Sequence, residues 1–320
     1  MRLAIVSDLH YASAAEAARR QHLFAPITNP LRRLFVRQYR RWLWLRDPFA
    51  HNHLMDRFLA ETAGVEFCVA NGDYSCDSAY IGLADDAAFA SASECLGKLR
   101  QRFGPNLRAT IGDHEIGKKM MAANQGGLRL ASYRRAHHHL GLEPLWELEI
   151  GNYLLLGIVS TLAALDVYEP EALPEEREHW RQLRAEHLGR IRETFEALRP
   201  AQRVLLFCHD PTALPFLWRE DIIRSRLPQI ERTIIGHLHS NLVFRQSQRL
   251  SGIPRVRFLG HTPLRLTSAL REARYWIPFK PLLCPSLSGI QLLKDGGYYV
   301  AELDPAGLTP ARFEFHRLRW

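Results

Sequence analysis

Short runs of consecutive apolar residues, more than strict alternation, dominate the hydrophobic pattern of this chain. Leu3-Ala4-Ile5-Val6-Ser7, Val65-Glu66-Phe67-Cys68-Val69-Ala70, Val204-Leu205-Leu206-Phe207-Cys208 and Thr233-Ile234-Ile235 are mostly β-branched or aromatic, as strands buried on both faces are. Arg108-Ala109-Thr110-Ile111 is a weaker run of the same kind. Between these runs the spacing turns helical, over Leu54 to Thr62, Ala84 to Phe103 and Gly127 to Leu140. Pro174 to Arg199 is the clearest helix, opened by Pro, acidic in its first turn and terminated by Pro200. Beyond His239, five further runs read as strands: Leu242-Val243-Phe244, Val256-Arg257-Phe258, Gly289 to Leu293, Tyr298 to Leu303 and Arg312 to Phe315. Asp295-Gly296-Gly297 reads as a hairpin turn. No repeat, low-complexity tract or linker divides the chain, so residues 1–320 are expected to form one domain.

The first five runs share one property: each stops just before a residue that can hold a metal. Asp8-Leu9-His10 follows the first, Gly72-Asp73 the second, Gly112-Asp113-His114-Glu115 the weak third, His209 the fourth and Gly236-His237-Leu238-His239 the fifth. In open α/β sheets ligands gather beyond the carboxyl ends of the strands, where residues distant in sequence meet. The glycines at 72, 112 and 236 suit tight turns or close backbone approach. Imidazole with carboxylate favours Zn, Mn, Fe or Ni over Ca, which prefers an all-oxygen shell.

In this order, from residue 8 to residue 239, the motifs resemble those of the calcineurin-like metallophosphoesterases: Asp-x-His, Gly-Asp, Gly-Asn-His-Asp/Glu, a lone His ending a strand, and Gly-His-x-His. The resemblance implies an α/β fold, a four-layer α/β/β/α sandwich of two mixed sheets with the metal site at the C-terminal rim of the strands. It implies that Asp8, His10, Asp73 and His239 hold one divalent transition ion and Asp73, Asp113, His209 and His237 a second. Mn, Fe and Zn are the candidates, with Mn the first choice. Two ions sharing Asp73 would lie roughly 3.5–4 Å apart and bind a hydroxide that attacks a phosphoester or pyrophosphate in line. His114 would face the leaving group and protonate it, with Glu115 a candidate orienting partner. One position departs from the pattern: the family's Asn is Asp113 here. The added negative charge should hold the cations more tightly and make them weaker Lewis acids, and altered or lost activity is the alternative outcome. Tyr74, Ser75 and Cys76 inherit no role.

Composition adds little beyond this. With 320 residues, 47% hydrophobic and 24% charged, the chain has the profile of a soluble globular protein large enough for a two-sheet core. It has no run of eighteen apolar residues to span a bilayer, and its start reads as a first strand instead of a secretory signal. Five cysteines without a Cys-x-x-Cys pair point to a reducing, cytoplasmic compartment.

Charge changes the picture more. From Ala17 to Arg46 the chain carries Arg19, Arg20, Arg32, Arg33, Arg37, Arg40, Arg41 and Arg46 and no acid, which equals its whole formal net charge of +8. Residues 17–50 therefore read as a basic amphipathic insertion. On a helical wheel Leu31, Leu34, Phe35, Tyr39, Trp42 and Leu45 share one side, and Arg33, Arg37, Arg40 and Arg41 the other. Such a segment suits an anionic membrane surface; alternatively its apolar side packs on the body and its arginines are solvated, and nucleic acid ranks below both. A looser mixture, Arg255, Arg257, Arg265, Arg271, Arg274 and Lys280 with Phe258, Tyr275, Trp276 and Phe279, could border the site and receive an anionic, partly apolar substrate. His137-His138-His139 lie on a helix, where consecutive side chains diverge, so no third metal is expected there.

The expected substrate is thus a phosphate compound, membrane-associated and of the nucleotide-activated glycolipid kind. Calcineurin-like enzymes of lipid A synthesis are similar in substrate class only, since the commoner one has Arg at the position of His114. A nuclease or cyclic-nucleotide phosphodiesterase of the same superfamily is one rival, and a non-catalytic metal-binding scaffold another.

Overall fold

In the computed structural model residues 1–120, 123, 125–256 and 261–320 are described. Ten strands form two mixed sheets of five: β1 (Arg2–Val6), β2 (Phe67–Ala70), β3 (Leu107–Ala109), β4 (Leu145–Ile150), β5 (Tyr153–Ile158), β6 (Arg203–Cys208), β7 (Ile230–Ile235), β8 (Pro281–Leu283), β9 (Gly297–Glu302) and β10 (Arg312–Arg317). The first sheet runs β10-β9-β1-β2-β3 and the second β4-β5-β6-β7-β8. In the first, β1, β2 and β3 are parallel while β9 is antiparallel to β1 and β10. In the second, β5 to β8 are parallel and β4 closes one edge antiparallel.

Why the strands read as unbroken apolar runs is visible in their packing. Leu3, Ile5 and Val69 of the first sheet meet Leu155, Leu205, Phe207 and Ile234 of the second in one buried cluster. The alternate residues Ala4, Val6, Cys68, Ala70, Val204, Leu206 and Cys208 belong to a separate cluster that holds the helices. Both faces of each central strand are therefore dry, and period-two alternation disappears. The result is the expected sandwich of two mixed sheets with helices outside them.

The sequence pattern and the structure part company at several elements. β4 and β5 have no counterpart among the expected strands, although Trp146, Leu148 and Ile150 alternate with exposed Glu147 and Glu149 along an edge strand and a Gly151-Asn152 turn follows. β8 is too short to register. Leu242-Val243-Phe244 is helical, part of Asn241–Arg249, because the Ser240 hydroxyl accepts from Leu242 N at 3.2 Å and caps the helix. Gly289 to Leu293 is a loop whose neighbours are Leu43 and Trp44 instead of a strand. Asp295-Gly296-Gly297 accordingly joins a loop to β9, not two strands. Helix begins at Asp86, capped by Asp85, not at Ala84; the Gly127 to Leu140 stretch coils only from Leu130, with a π-type turn over Arg135–His139. Arg257 and Phe258 of the expected strand at 256–258 lie outside the described residues.

Helix Pro30–Trp42 forms inside the basic segment, with the two sides of its wheel as expected but its apolar side turned outward. Two of its arginines face the protein: Arg33 Nε donates to the Ile27 carbonyl at 2.8 Å, and Arg40 is turned inward over the Phe24 ring. Leu31, Leu34, Phe35 and Trp42 of the apolar side are exposed, so they do not pack on the body; Tyr39 is half-buried and Leu45, beyond the helix, is buried. Among the described residues no helix is long and apolar enough to cross a membrane.

Candidate metal centre

The carboxyl ends of β1, β2, β3, β6 and β7 converge, and the loops that leave them carry every candidate ligand. Local backbone strain marks these loops. Asp8, His10, Asp73, His237 and His239 all have positive φ, between 45° and 62°, a region rare for residues with a side chain and concentrated at functional sites. Gly72 sits at φ +92°, and a Cβ there would meet Gly112 Cα and His209 Nδ1 at 2.8 Å. A Cβ on Gly236 would fall 2.0 Å from Ser7 Oγ and 2.5 Å from Asp8 Oδ2. The motif glycines are thus required by close approach of the loops.

Two groups of donor atoms result. Asp73, Asp113, His209 and His237 form one, with Asp8, His10 and His239 beside it, and each group's donor atoms lie within 4.8 Å of one another. His209 Nε2 is 3.1 Å from Asp73 Oδ2 and 3.2 Å from Asp113 Oδ1. His237 presents Nδ1 to Asp113 Oδ1 at 2.9 Å. In the second group His239 Nε2 is 3.3 Å from Asp8 Oδ1 and 3.1 Å from His10 Nε2. Asp73 stands between the groups, since it also clusters with His10 and His114.

Outer partners set the direction of these donors, as they do where imidazoles serve as ligands. His209 Nδ1 donates to the Asn71 carbonyl at 2.6 Å and His10 Nδ1 to the Ser75 carbonyl at 3.2 Å, which leaves both Nε2 atoms facing the centre. Asp8 accepts from Ser7 Oγ at 2.6 Å and from His237 N at 3.0 Å. Asp73 Oδ1 accepts from His114 N at 3.0 Å, whereas its buried Oδ2 has no aligned hydrogen bond despite His209 nearby. A buried carboxylate oxygen without an aligned hydrogen bond is costly unless something meets it. The donor set therefore fits divalent transition ions.

The remaining candidates divide. His114 lies at the edge of this cluster, its Nδ1 donating to the Ser75 carbonyl at 3.1 Å and its Nε2 3.7 Å from Asp73 Oδ2. Burial first, then the neighbouring Lys118 and His10 charges, pull its pKa to about 3 against the Asp73 charge. Glu115 does not orient it. Its Oε2 accepts from Asp73 N at 2.9 Å and Gly112 N at 2.8 Å, and its Oε1 from Tyr74 N at 2.8 Å. These bonds satisfy three buried backbone donors and lock two ligand loops together, so the adjacent side chain points away from His114. His137-His138-His139 join no ligand cluster among the described residues. Trp276 and Phe279 of the later basic stretch are core residues, and Arg265 pairs with Glu171 at 2.8 Å, so these three do not form an open funnel to the site.

Three residues went unnoticed in the sequence. Asp210 beside His209 accepts from the Tyr168 hydroxyl and lies 3.7 Å from His237 Nε2. Trp44 lies at a tilt against the His239 ring, with centroids 4.7 Å apart. Lys118 Nζ lies 2.7 Å from Asp113 Oδ2, the Lys side chain one-fifth exposed and the Asp nearly buried. The extra charge of Asp113 thus has a counter-charge five positions on, which a cation following Gly112-Asp113-His114-Glu115 could have signalled. Against burial, Lys118 and His237 hold the Asp113 carboxyl well below its usual range. The expectation that Asp113 simply tightens its cations changes accordingly: Asp113→Asn strands a partly buried ammonium. Breaking a fully buried pair costs about 3–5 kcal/mol, and screening at Lys118 reduces this to about 1–3 kcal/mol. Urea unfolding should show that loss in Asp113→Asn and its recovery in Asp113→Asn with Lys118→Met.

The site's protonation yields a second expectation. Burial disfavours charge on His209 and His237, yet Asp73 and Asp8 hold the first well above its usual range, and Asp210 and Asp113 raise the second. Both therefore keep their protons to higher pH than a free imidazole does. A cation in the four-residue group must displace those protons, so affinity rises with pH through the raised range and is lost below it. Calorimetry of Mn²⁺ binding in buffers of different ionisation enthalpy should report proton release; no release would remove these imidazoles from the ligand set.

Comparison with known proteins places the fold. No protein-family profile and no curated protein sequence matches the chain. A dimetal phosphatase from Danio rerio aligns over 100% of this chain and 97% of its own, with a TM-score of 0.50 and 12% identity. The phosphopantetheinyl hydrolase of Mycobacterium tuberculosis aligns over 74% of this chain and 82% of its own, with a TM-score of 0.34 and 14% identity. At such identity the first likeness shows a shared fold.

Proposed function

We propose that this chain is a dinuclear metal-dependent phosphohydrolase that cleaves a phosphoester or pyrophosphate bond. The observation that carries this reading is the pair of abutting donor groups with Asp73 between them. The fold of the Danio rerio protein, described as a dimetal phosphatase, agrees with it. Asp8, His10, Asp73 and His239 would hold one ion, and Asp73, Asp113, His209 and His237 the other. Two divalent ions of this kind supply a water nucleophile at neutral pH and neutralise charge on the phosphoryl oxygens.

The protein's own groups do the rest. Asn71 and Ser75 carbonyls fix the His209 and His10 tautomers, and Glu115 holds the Asp73 and Asp113 loops in register. Lys118 balances the Asp113 charge. His114, at the rim and slightly exposed, is the group placed to meet the substrate. Held neutral in the free site, it takes up a proton only when an anionic substrate lies against Nε2, and then returns that proton to the departing oxygen.

The outward apolar side chains Leu31, Leu34, Phe35 and Trp42 favour a lipid-linked substrate over nucleic acid, which would leave them in water. Turnover of bis(p-nitrophenyl) phosphate with Mn²⁺, together with about two ions per chain by metal analysis, is the expected result. Two bound ions without turnover of any phosphodiester, nucleotide or pyrophosphate would make the chain a metal-binding scaffold.

A further inference from the structure

Helix Pro30–Trp42 is unusual for a surface helix: Arg33 and Arg40 turn toward the body, while its large apolar side chains project outward together with Arg37 and Arg41. Leu31, Leu34, Phe35 and Trp42 are 76%, 55%, 71% and 62% exposed. The orientation is fixed from beneath, by Arg33 on the Ile27 carbonyl at 2.8 Å and by Arg40 over the Phe24 ring at 6.0 Å. The apolar surface continues past the helix. Gln291 N and Leu292 N donate to the Trp44 and Leu43 carbonyls at 2.5 and 3.4 Å, which brings the exposed Leu292 and Leu293 alongside Leu43.

We propose that this surface docks on an anionic lipid bilayer, with Leu31, Leu34, Phe35 and Trp42 in the headgroup and upper acyl region and Arg32, Arg37, Arg41 and Arg46 among the phosphates. Separately projecting side chains on one convex helix suit a fluid hydrocarbon layer, which needs no complementary pockets. The charge is matched to the same occupant. All four arginines are exposed, and no acidic residue lies between Ala17 and Arg46 to oppose an anionic surface. Arg41 lies over the Trp42 ring at 5.2 Å, an aromatic and cationic pairing at home where hydrocarbon meets headgroups. The surface also reaches the metal centre, since Trp44, two residues past the helix, lies against the His239 ring at a tilt, with centroids 4.7 Å apart. Docking would thus set the mouth of the site at headgroup level. That last consequence rests on the hydrolytic reading; the docking itself does not.

The test is co-sedimentation with vesicles, which needs no turnover. The wild-type chain should pellet with phosphatidylcholine–phosphatidylglycerol vesicles and far less with phosphatidylcholine alone. Leu31→Ser/Phe35→Ser/Trp42→Ser should weaken the partition at least about tenfold. Arg32→Gln/Arg37→Gln/Arg41→Gln/Arg46→Gln should weaken it about 10²-fold or more, each cation contributing roughly fivefold. Since these side chains project from the surface, circular dichroism and urea unfolding should match wild type in the apolar variant. A wild-type chain that stays in the supernatant with anionic vesicles overturns the proposal, as does binding unchanged in both variants. Light scattering that shows a dimer dissolved by the apolar substitutions would give the surface to a second copy of the chain.

Discussion

Asp73→Asn should lower turnover by about 10³-fold or more and remove most of one metal equivalent, while the chain stays folded. The magnitude follows from position. Asp73 belongs to the four-residue donor group and also clusters with His10 of the neighbouring one, and a metal clamp contributes several kcal/mol of transition-state stabilisation, each 1.36 kcal/mol being about tenfold in rate. Folding is spared for a reason visible in the backbone. Asp73 has φ +59°, a conformation that Asn tolerates as well as Asp does, and an Asn oxygen can still accept from His114 N. What disappears is the charge on the orphaned Oδ2. Tyr74→Phe is the matched control. Its hydroxyl donates to the Thr110 carbonyl at 2.7 Å, away from the donor atoms, so its loss should cost about 1–2 kcal/mol of stability and leave turnover in place. Metal analysis by mass spectrometry beside an assay of both variants decides the matter, and full activity in Asp73→Asn sinks the two-metal reading.

The same residues show why the donor positions were legible and their surroundings were not. Asp8, Asp73, Asp113, His209, His237 and His239 stand at strand ends, and a strand buried on both faces announces its own end by the change from apolar to polar. The positive φ at five of the candidate positions has no comparable signature, since Asp and His carry no mark of a left-handed backbone. Glu115 was misassigned because adjacency in sequence suggested a partner for His114, whereas three unpaired backbone N–H groups from separate loops claimed it first. Lys118 was missed because a lysine in a polar run looks solvated until the fold brings a carboxylate to 2.7 Å. For helix Pro30–Trp42 the wheel is symmetrical in information: it separates an apolar side from a cationic one but does not say which faces the body. Here the carbonyl of Ile27 and the ring of Phe24 captured Arg33 and Arg40, and the apolar side was left outside. Edge strand β4 was lost to a different cause, the search for continuous apolar runs, which passes over an alternating strand with one wet face.

His114→Asn should keep both metal equivalents and lower kcat by on the order of 10²–10⁴, the contribution of a positioned proton donor. The retention of metal follows from where the ring sits: its Nδ1 is taken by the Ser75 carbonyl, and although it clusters with His10 and Asp73 it is in neither the four-residue group nor the Asp8, His10, His239 group. The loss in rate should depend on the leaving group. An alkyl alkoxide needs a proton to depart and should show the full effect, whereas p-nitrophenolate departs unaided and should show little. The pH profile separates this from mere positioning. Burial keeps the free imidazole neutral, with a pKa of about 3, so kcat/KM, which reports the free enzyme, should carry no limb from His114 near neutrality. An anionic substrate against Nε2 raises that pKa, so kcat, which reports the complex, should fall at high pH in wild type and lose that fall in His114→Asn. A uniform loss across leaving groups would assign His114 to charge stabilisation on the phosphoryl oxygens, and loss of a metal equivalent would make it a ligand and overturn its role as the proton donor.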